Sequence, residues 1–274
     1  MPEPTSSSSP RLSIHGVGLE FGGVQVLRNV SFDLAPSEVT ALIGPNGAGK
    51  SALLNCISGI YRPSPGGRIT LDGIHLDRLP PHRVAGAGVK RTFQSLHLSR
   101  ELSVRENVLL GLVSSFTLGA FATLALPWRA IRQERENIRR ADAVIEQCGL
   151  SALAAERCSE LPLGVLRRVD LARALVSDPV LLLLDEPASG LSHDERPIIG
   201  QMVSLARSRK DLAVLWIEHD LELVLSEAER AIVLHHGELV HMGDPRDPRQ
   251  RDQLISAYKT GGLKDNAEPD AVAA

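Results

Sequence analysis

The stretch GPNGAGKS, Gly44 to Ser51, decides how this chain is read. It fits the pattern G-x-x-x-x-G-K-[ST] at every fixed position. Gly44, Gly47 and Gly49 allow backbone torsions that turn successive N–H groups into one concavity suited to phosphate oxygens. Pro45, Asn46 and Ala48 complete the loop. A helix expected from Gly49 to about Ile60, carrying Ala52 in its first turn, adds the positive end of its dipole. Lys50 offers a mobile point charge to the β- and γ-phosphates, and the Ser51 hydroxyl suits Mg²⁺. The run VTALIG just before the loop is continuously apolar, as in a strand buried on both faces. The stretch reads as a nucleotide-binding loop.

Working outward, the composition is that of a globular chain. Its 274 residues are 43% hydrophobic and 23% charged, with net charge −3. That suits one large domain or two small ones and excludes a long disordered chain. A pI near 6.3 gives no bulk attraction to nucleic acid. Only five of the 30 cationic residues are lysine, so Lys50 in its motif carries more weight. Cys56, Cys148 and Cys158 are too far apart for a CxxC pair, which argues against a disulfide framework or zinc site and fits a reduced, cytosolic compartment. The start, MPEPTSSSSP, lacks the pattern of a secretory signal and reads as a disordered tail over residues 1–10. A second tail is expected over 263–274.

Between these ends the chain alternates strands and helices. RLSIHGV, VQVL and VSFDL are short β-rich runs around a Gly22-Gly23 turn, spaced for antiparallel pairing. RITLD and VKRTF are further strands, with a short helix around Pro81–Ala87. VLLLL (180–184) and LAVLWI (212–217) are buried strands, followed by helices at 194–208 and 221–229, and a terminal hairpin turns at His235-His236-Gly237. Residues 96–165 break the alternation. There a helix at 129–148 shows an apolar face of Ile131, Ile138, Ala141, Val144, Ile145 and Cys148, and another runs from about Val165 to Val176. The expectation is an α/β fold with a mainly parallel sheet, an N-terminal antiparallel β subdomain and an inserted helical subdomain at about 96–165, within one domain spanning 11–262.

Two further signals follow buried strands. LLLLDEP ends in Asp185 and Glu186, placing two acids at the carboxyl edge of the sheet, where ligands of α/β folds bind. Asp185 is suited to the Mg²⁺ shell and Glu186 to polarising water. IEHD places His219 after LAVLWI, at the same edge, in reach of a γ-phosphate.

Together these residues resemble the ATPase subunits of ABC transporters. GPNGAGKS is similar to the Walker A loop of that family, LLLLDEP to Walker B, RTFQ to the Q-loop and IEHD to the switch-histidine segment. The resemblance runs from about Leu12 to Tyr258 and implies the P-loop NTPase fold, MgATP as ligand and ATP hydrolysis. It implies that Phe21 stacks on adenine, and that Gln94 joins Ser51 and Asp185 around Mg²⁺ and signals to the transmembrane partner. The catalytic set it implies is Glu186, His219, Lys50 and Gln94. RTFQSLHLSRELSVRENVLLG, the insertion after it, ARALVSDPVLLLLDEPASGLS and SAYKTGG resemble the longer of the paired ATPases of branched-chain amino acid importers. Importers of urea, short amides and other hydrophobic amino acids share the pattern. The implied partners are a second ATPase subunit in a head-to-tail dimer, two transmembrane permease subunits and, indirectly, an extracytoplasmic solute-binding protein. The implied place is the cytoplasmic face of the membrane, peripheral to it.

The departures are informative. The family signature LSGGQ falls on Leu161-Pro162-Leu163-Gly164-Val165. Pro162 removes the serine hydroxyl that meets the partner's nucleotide, and Val165 removes an amide, while Gly164 stays. Proline is tolerated at a helix start, so the helix itself is expected to form. Ala52 replaces a usual hydroxyl, and Ser192 stands where aspartate is common. Since each nucleotide in such a dimer lies between one Walker half and the other subunit's signature, a homodimer of this chain has two weakened sites and a heterodimer one. A non-identical partner is therefore expected. Two alternatives remain: a catalytically weak regulatory subunit, and a soluble ABC ATPase outside transport. From Asn107 to Trp128 the chain has 22 residues without a charge. A membrane crossing there would separate Gln94 from Gly164, so the run is expected to form the core of the helical subdomain.

Overall fold

The computed structural model describes residues 9–92, 94–112 and 127–264. The chain divides into two compact units, residues 1–79 with 215–274, and residues 80–214.

In the first unit, strands Leu12–Phe21 and Val24–Leu34 form an antiparallel hairpin around Gly22-Gly23. The two runs VQVL and VSFDL form one strand rather than two. A bulge absorbs the break between them, with Asn29 at φ 50° opposite a register shift, and a second bulge surrounds Gly16 at φ 61°. Each bulge inserts a residue and restores the alternation. Ile14 and Val17, three apart, therefore both point into the core. Strand Arg68–Leu71 pairs antiparallel with Leu12–Phe21 on its other side, and Ile74–His75 completes this sheet.

Strand Val39–Ile43 does not join that sheet. Every residue in it is buried, and it runs parallel to Arg230–His235, with Leu42 opposite Ile232. The expected terminal hairpin is present: Arg230–His235 turns into Glu238–Gly243 through His236 (φ 45°) and Gly237 (φ 78°), two successive left-handed residues that suit a tight reversal. A helix at Pro248–Lys264 packs on this hairpin and buries Leu254 completely. Sequence patterning gave no sign of it, because its apolar residues are too few to mark a period.

In the second unit, strand Val89–Thr92 lies parallel to Leu181–Asp185, with Arg91 opposite Leu183. Helix Val104–Leu110 falls within the stretch expected to be helical, and Pro127–Gln147, Leu163–Leu175 and Pro197–Ser208 lie near their expected positions. The first begins at a capping box, in which Ser103 accepts from the Glu106 N–H and the Glu106 carboxylate accepts from the Ser103 N–H. On Pro127–Gln147 the apolar face is shorter than expected. Ala141, Val144, Ile145 and Cys148 are buried, but Ile131 is 51% exposed. The buried stripe starts at Asn137, which accepts from the Gln133 side chain at 3.1 Å.

Of the uncharged run 107–128, residues 113–126 lie outside the described residues. Asn107, at its start, is fully buried and ties down the preceding loop: its amide donates to the Ser99 and Ser103 carbonyls and accepts from the Ser99 N–H. No helix among the described residues is long and apolar enough to cross a membrane. The tails expected at 1–10 and 263–274 also fall mostly outside the described residues, although the last helix continues through Lys264.

All three cysteines are free and buried. Burial pushes the Cys56 thiol up to about 12 and the Cys148 thiol to about 11, far from a reactive thiolate.

Gly111 sits against the backbone of helix Leu163–Leu175 with no room for a side chain. A Cβ there would stand 2.0 Å from the Arg173 carbonyl oxygen and 2.7 Å from Val176 Cγ1. Backbone cannot yield as a side-chain tip can. Gly111→Ala is therefore expected to lower stability by about 1–3 kcal/mol, read as a shifted urea midpoint; an unchanged midpoint would contradict this packing.

Candidate nucleotide site

The phosphate loop leaves strand Val39–Ile43 and enters helix Lys50–Ile57. Gly44 is buried, and a Cβ on it would stand 2.1 Å from the Leu234 carbonyl oxygen, so no other residue fits that passage. Gly49, at φ 99°, is the residue before the helix, and no side chain caps the helix start. Helix-start N–H groups that lack a side-chain cap are the groups that meet phosphate in such loops. At Gly47, with φ 79°, nothing approaches within 4 Å of a would-be Cβ, so this part of the cradle is open. Asn46 and Ser51 are exposed, Ala48 is buried, and Pro45 and Ala52 are half-buried.

Lys50 is only 5% exposed. Its Nζ donates to the carbonyls of Gly44 at 2.7 Å and Pro45 at 2.9 Å. The ammonium is thus curled over its own loop, with carbonyl oxygens standing where phosphate oxygens would compete for it. The hairpin turn braces the loop from behind: the Gly237 N–H donates to the Ala48 carbonyl at 3.0 Å. That brace went unread in the sequence, where His236-Gly237 signalled only a turn.

Phe21 ends its strand 47% exposed, held edge-to-face against Tyr61 at a centroid distance of 5.0 Å. An exposed ring face fixed by a second ring suits a stacking platform. His219 is exposed, two residues after strand Ala213–Ile217, and its backbone N–H donates to the buried Glu218 carboxylate at 3.0 Å.

The second unit gathers the acids. Asp185 is buried at the end of strand Leu181–Asp185, and Arg91 Nη2 donates to its Oδ2 at 2.6 Å. Glu186 follows with a left-handed φ of 48° and accepts from Gln94 Nε2 at 2.9 Å. Arg167, 5% exposed, donates through Nη2 to the carbonyls of Gln94 and Ser189, each at 2.9 Å. So Gln94, Asp185 and Glu186 are brought together as expected, by two arginines that sequence reasoning passed over. A signal was available: RTFQ puts a cation in a strand pairing with an apolar one, which is costly unless a carboxylate meets it.

The segment Leu161–Val165 forms a helix start without a side-chain cap. Pro162 is exposed at φ −67° and ψ 159°, ahead of helix Leu163–Leu175. Leu161, Leu163 and Val165 are half-buried. The N–H groups of Val165 and Leu166 are both spent on the Pro162 carbonyl, at 3.1 Å. Gly164 is buried because a Cβ would stand 2.7 Å from Ile198 Cδ1 and 3.4 Å from Glu195 Oε1. Its small size therefore answers first to packing inside this chain. Ser192 is engaged locally, in a capping box with Glu195.

A glycine-lined loop with a buried lysine, followed by acids closing a wholly buried parallel strand, defines a P-loop nucleotide-binding ATPase. Comparison with known proteins narrows the class. The profile of the ABC transporter family matches residues 27–189. The chain is 38% identical over 251 residues to the high-affinity branched-chain amino acid transport ATP-binding protein LivG of Escherichia coli strain K12, covering 92% of this chain and 98% of LivG. It is 36% identical over 255 residues to BraF of Pseudomonas aeruginosa, with the same coverage of 92% and 98%. Among solved structures, the ADP conformation of MJ1267, an ATP-binding cassette of an ABC transporter, superposes with a TM-score of 0.75 at 27% identity, covering 90% of this chain and 99% of that one. The chain belongs to the ABC transporter family. It is an ATP-binding, ATP-hydrolysing subunit with the expected P-loop α/β fold.

The Gly44 passage gives a direct check on the loop. Gly44→Ala is expected to weaken binding of a fluorescent ATP analogue on the order of tenfold or more, because the loop must shift to clear Leu234. Wild-type affinity in this variant would contradict the geometry.

Proposed function

We propose that this chain hydrolyses MgATP as one of two non-identical ATPase subunits of an importer for branched-chain or other hydrophobic amino acids, amides or urea. The observation that carries the ATPase half is the loop at 44–51, with Lys50 buried and already bonded to loop carbonyls. The cargo class rests on LivG and BraF, both named as branched-chain amino acid transport proteins and both matched over nearly their full length. By the same kinship the chain works peripherally at the membrane, beside two permease subunits and a solute-binding protein, and contacts no nucleic acid.

Each residue has a task that follows from its chemistry. Lys50 turns from its two loop carbonyls to β- and γ-phosphate oxygens, so that its charge meets an anion instead of a neutral acceptor. Phe21 stacks on the adenine. The backbone of Gly44, Pro45, Asn46, Gly47, Ala48 and Gly49, with Ser51 and Ala52 at the helix start, receives the phosphates. Ser51, Gln94 and Asp185 hold Mg²⁺. The donor set suits that ion: a hydroxyl, an amide carbonyl and a carboxylate are hard oxygen donors. When bound, Mg²⁺ offsets the charge that builds on the phosphates. Glu186 orients and polarises the attacking water once Gln94 releases it, and His219 contacts the γ-phosphate.

The Leu161–Val165 segment is turned toward the partner's nucleotide. Pro162 brings no hydroxyl to it, so the site built on the partner's Walker half is the weak one. The same feature motivates a second reading, a regulatory subunit that binds nucleotide with little turnover.

Glu186→Gln in the assembled transporter separates the two. If Glu186 activates water, the variant keeps ATP binding and loses turnover by on the order of a hundredfold or more. Unchanged hydrolysis would remove Glu186 from that role and favour the regulatory reading.

A further inference from the structure

A buried carboxylate that serves a divalent cation needs compensation while the cation is away. Asp185 is 6% exposed, and the strand leading to it is buried throughout. Left alone there, its charge would cost several kcal/mol. The structure shows what meets it. Arg91 and Asp185 lie on adjacent parallel strands: Arg91 pairs with Leu183, so Asp185 is its diagonal neighbour two residues on, along the same face. The Nη2–Oδ2 distance is 2.6 Å, and each side chain is 9% exposed.

Position makes this pair more than a structural tie. Three residues beyond Arg91, Gln94 donates to Glu186, the residue after Asp185. The segment 91–94 is thus laced to 185–186 by two successive rungs, one ionic and one neutral. Arg167 fixes the same segment through the Gln94 carbonyl. Each acid of the hydrolytic pair is met by a donor from that one segment.

We propose that Arg91 is the internal counter-ion of Asp185: in the nucleotide-free chain it supplies the positive charge that the divalent cation later brings. As a positioning residue it presets the Asp185 carboxylate and keeps the affinity of the free chain for bare cations low, so that the cation enters with the nucleotide. This inference rests on the reading of Asp185 as a Mg²⁺ residue.

The test is Mn²⁺ binding to the full-length chain without nucleotide, followed by the free-ion electron paramagnetic resonance signal. Removing a unit charge this close to the carboxylate should tighten Mn²⁺ binding in Arg91→Gln on the order of tenfold. Arg91→Lys, which keeps the charge, should stay within about threefold of wild type. Equal affinities for wild type and Arg91→Gln would overturn the proposal. Asp185→Asn separates this failure from failure of the underlying reading: if it leaves Mn²⁺ binding unchanged with and without ATP, Asp185 is not a metal residue and both fall. Should Arg91→Gln not fold, Arg91→Gln/Asp185→Asn must, since the uncompensated carboxylate is then gone. A double variant that also fails to fold would overturn the proposal.

Discussion

Asp185 closes a strand with no exposed residue, and a carboxylate in such a place must be neutralised or hydrated. Arg91 neutralises it, and much of the second unit's architecture follows from that bond. The strand carrying Arg91 is fixed in register against Leu181–Asp185, which sets where Gln94 emerges. Gln94 then reaches Glu186, and Arg167 holds the backbone on both sides of the pair through the carbonyls of Gln94 and Ser189. Because Arg167 stands in helix Leu163–Leu175, that helix is tied to the segments carrying Gln94 and Glu186.

The first unit solves the complementary problem. Lys50 is a buried cation whose ammonium donates to two loop carbonyls. The rest of the unit keeps the loop in shape: Leu234 behind Gly44, and the turn at Gly237 bonded to Ala48.

Where chemistry demanded particular residue types at fixed spacing, the sequence was readable. The loop at 44–51, the acids at 185–186, the buried strands around them and the hairpin at 236–237 all stood in the expected places. Pairings between distant residues were not readable. Arg91 and Asp185 are 94 positions apart, and nothing local to either announces the other. The bulge at Asn29 joined what looked like separate strands, because a single inserted residue breaks the period-two pattern without ending the strand. Ile131 fell outside the core because helical spacing shows which face is apolar, not how far along the helix the core extends. Gly164 illustrates a different gap: a family motif explained its identity, whereas Ile198 and Glu195 within the chain already require it.

We propose that the chain is asymmetric, pairing a Walker half that departs from the family only at Ala52 with an altered signature at 161–165. On that proposal the residues at 44–51 and 185–186 carry hydrolysis, while Pro162 and Val165 bring neither hydroxyl nor side-chain amide to an uncapped helix start. On the proposed reading, such a chain draws on another subunit's intact signature to turn over ATP. Steady-state ATPase of the purified chain alone, compared with the same chain assembled with its partner ATPase and permeases, tests this most directly. The account predicts low turnover alone and a large rise on assembly; turnover by the isolated chain equal to that of the full transporter would contradict it.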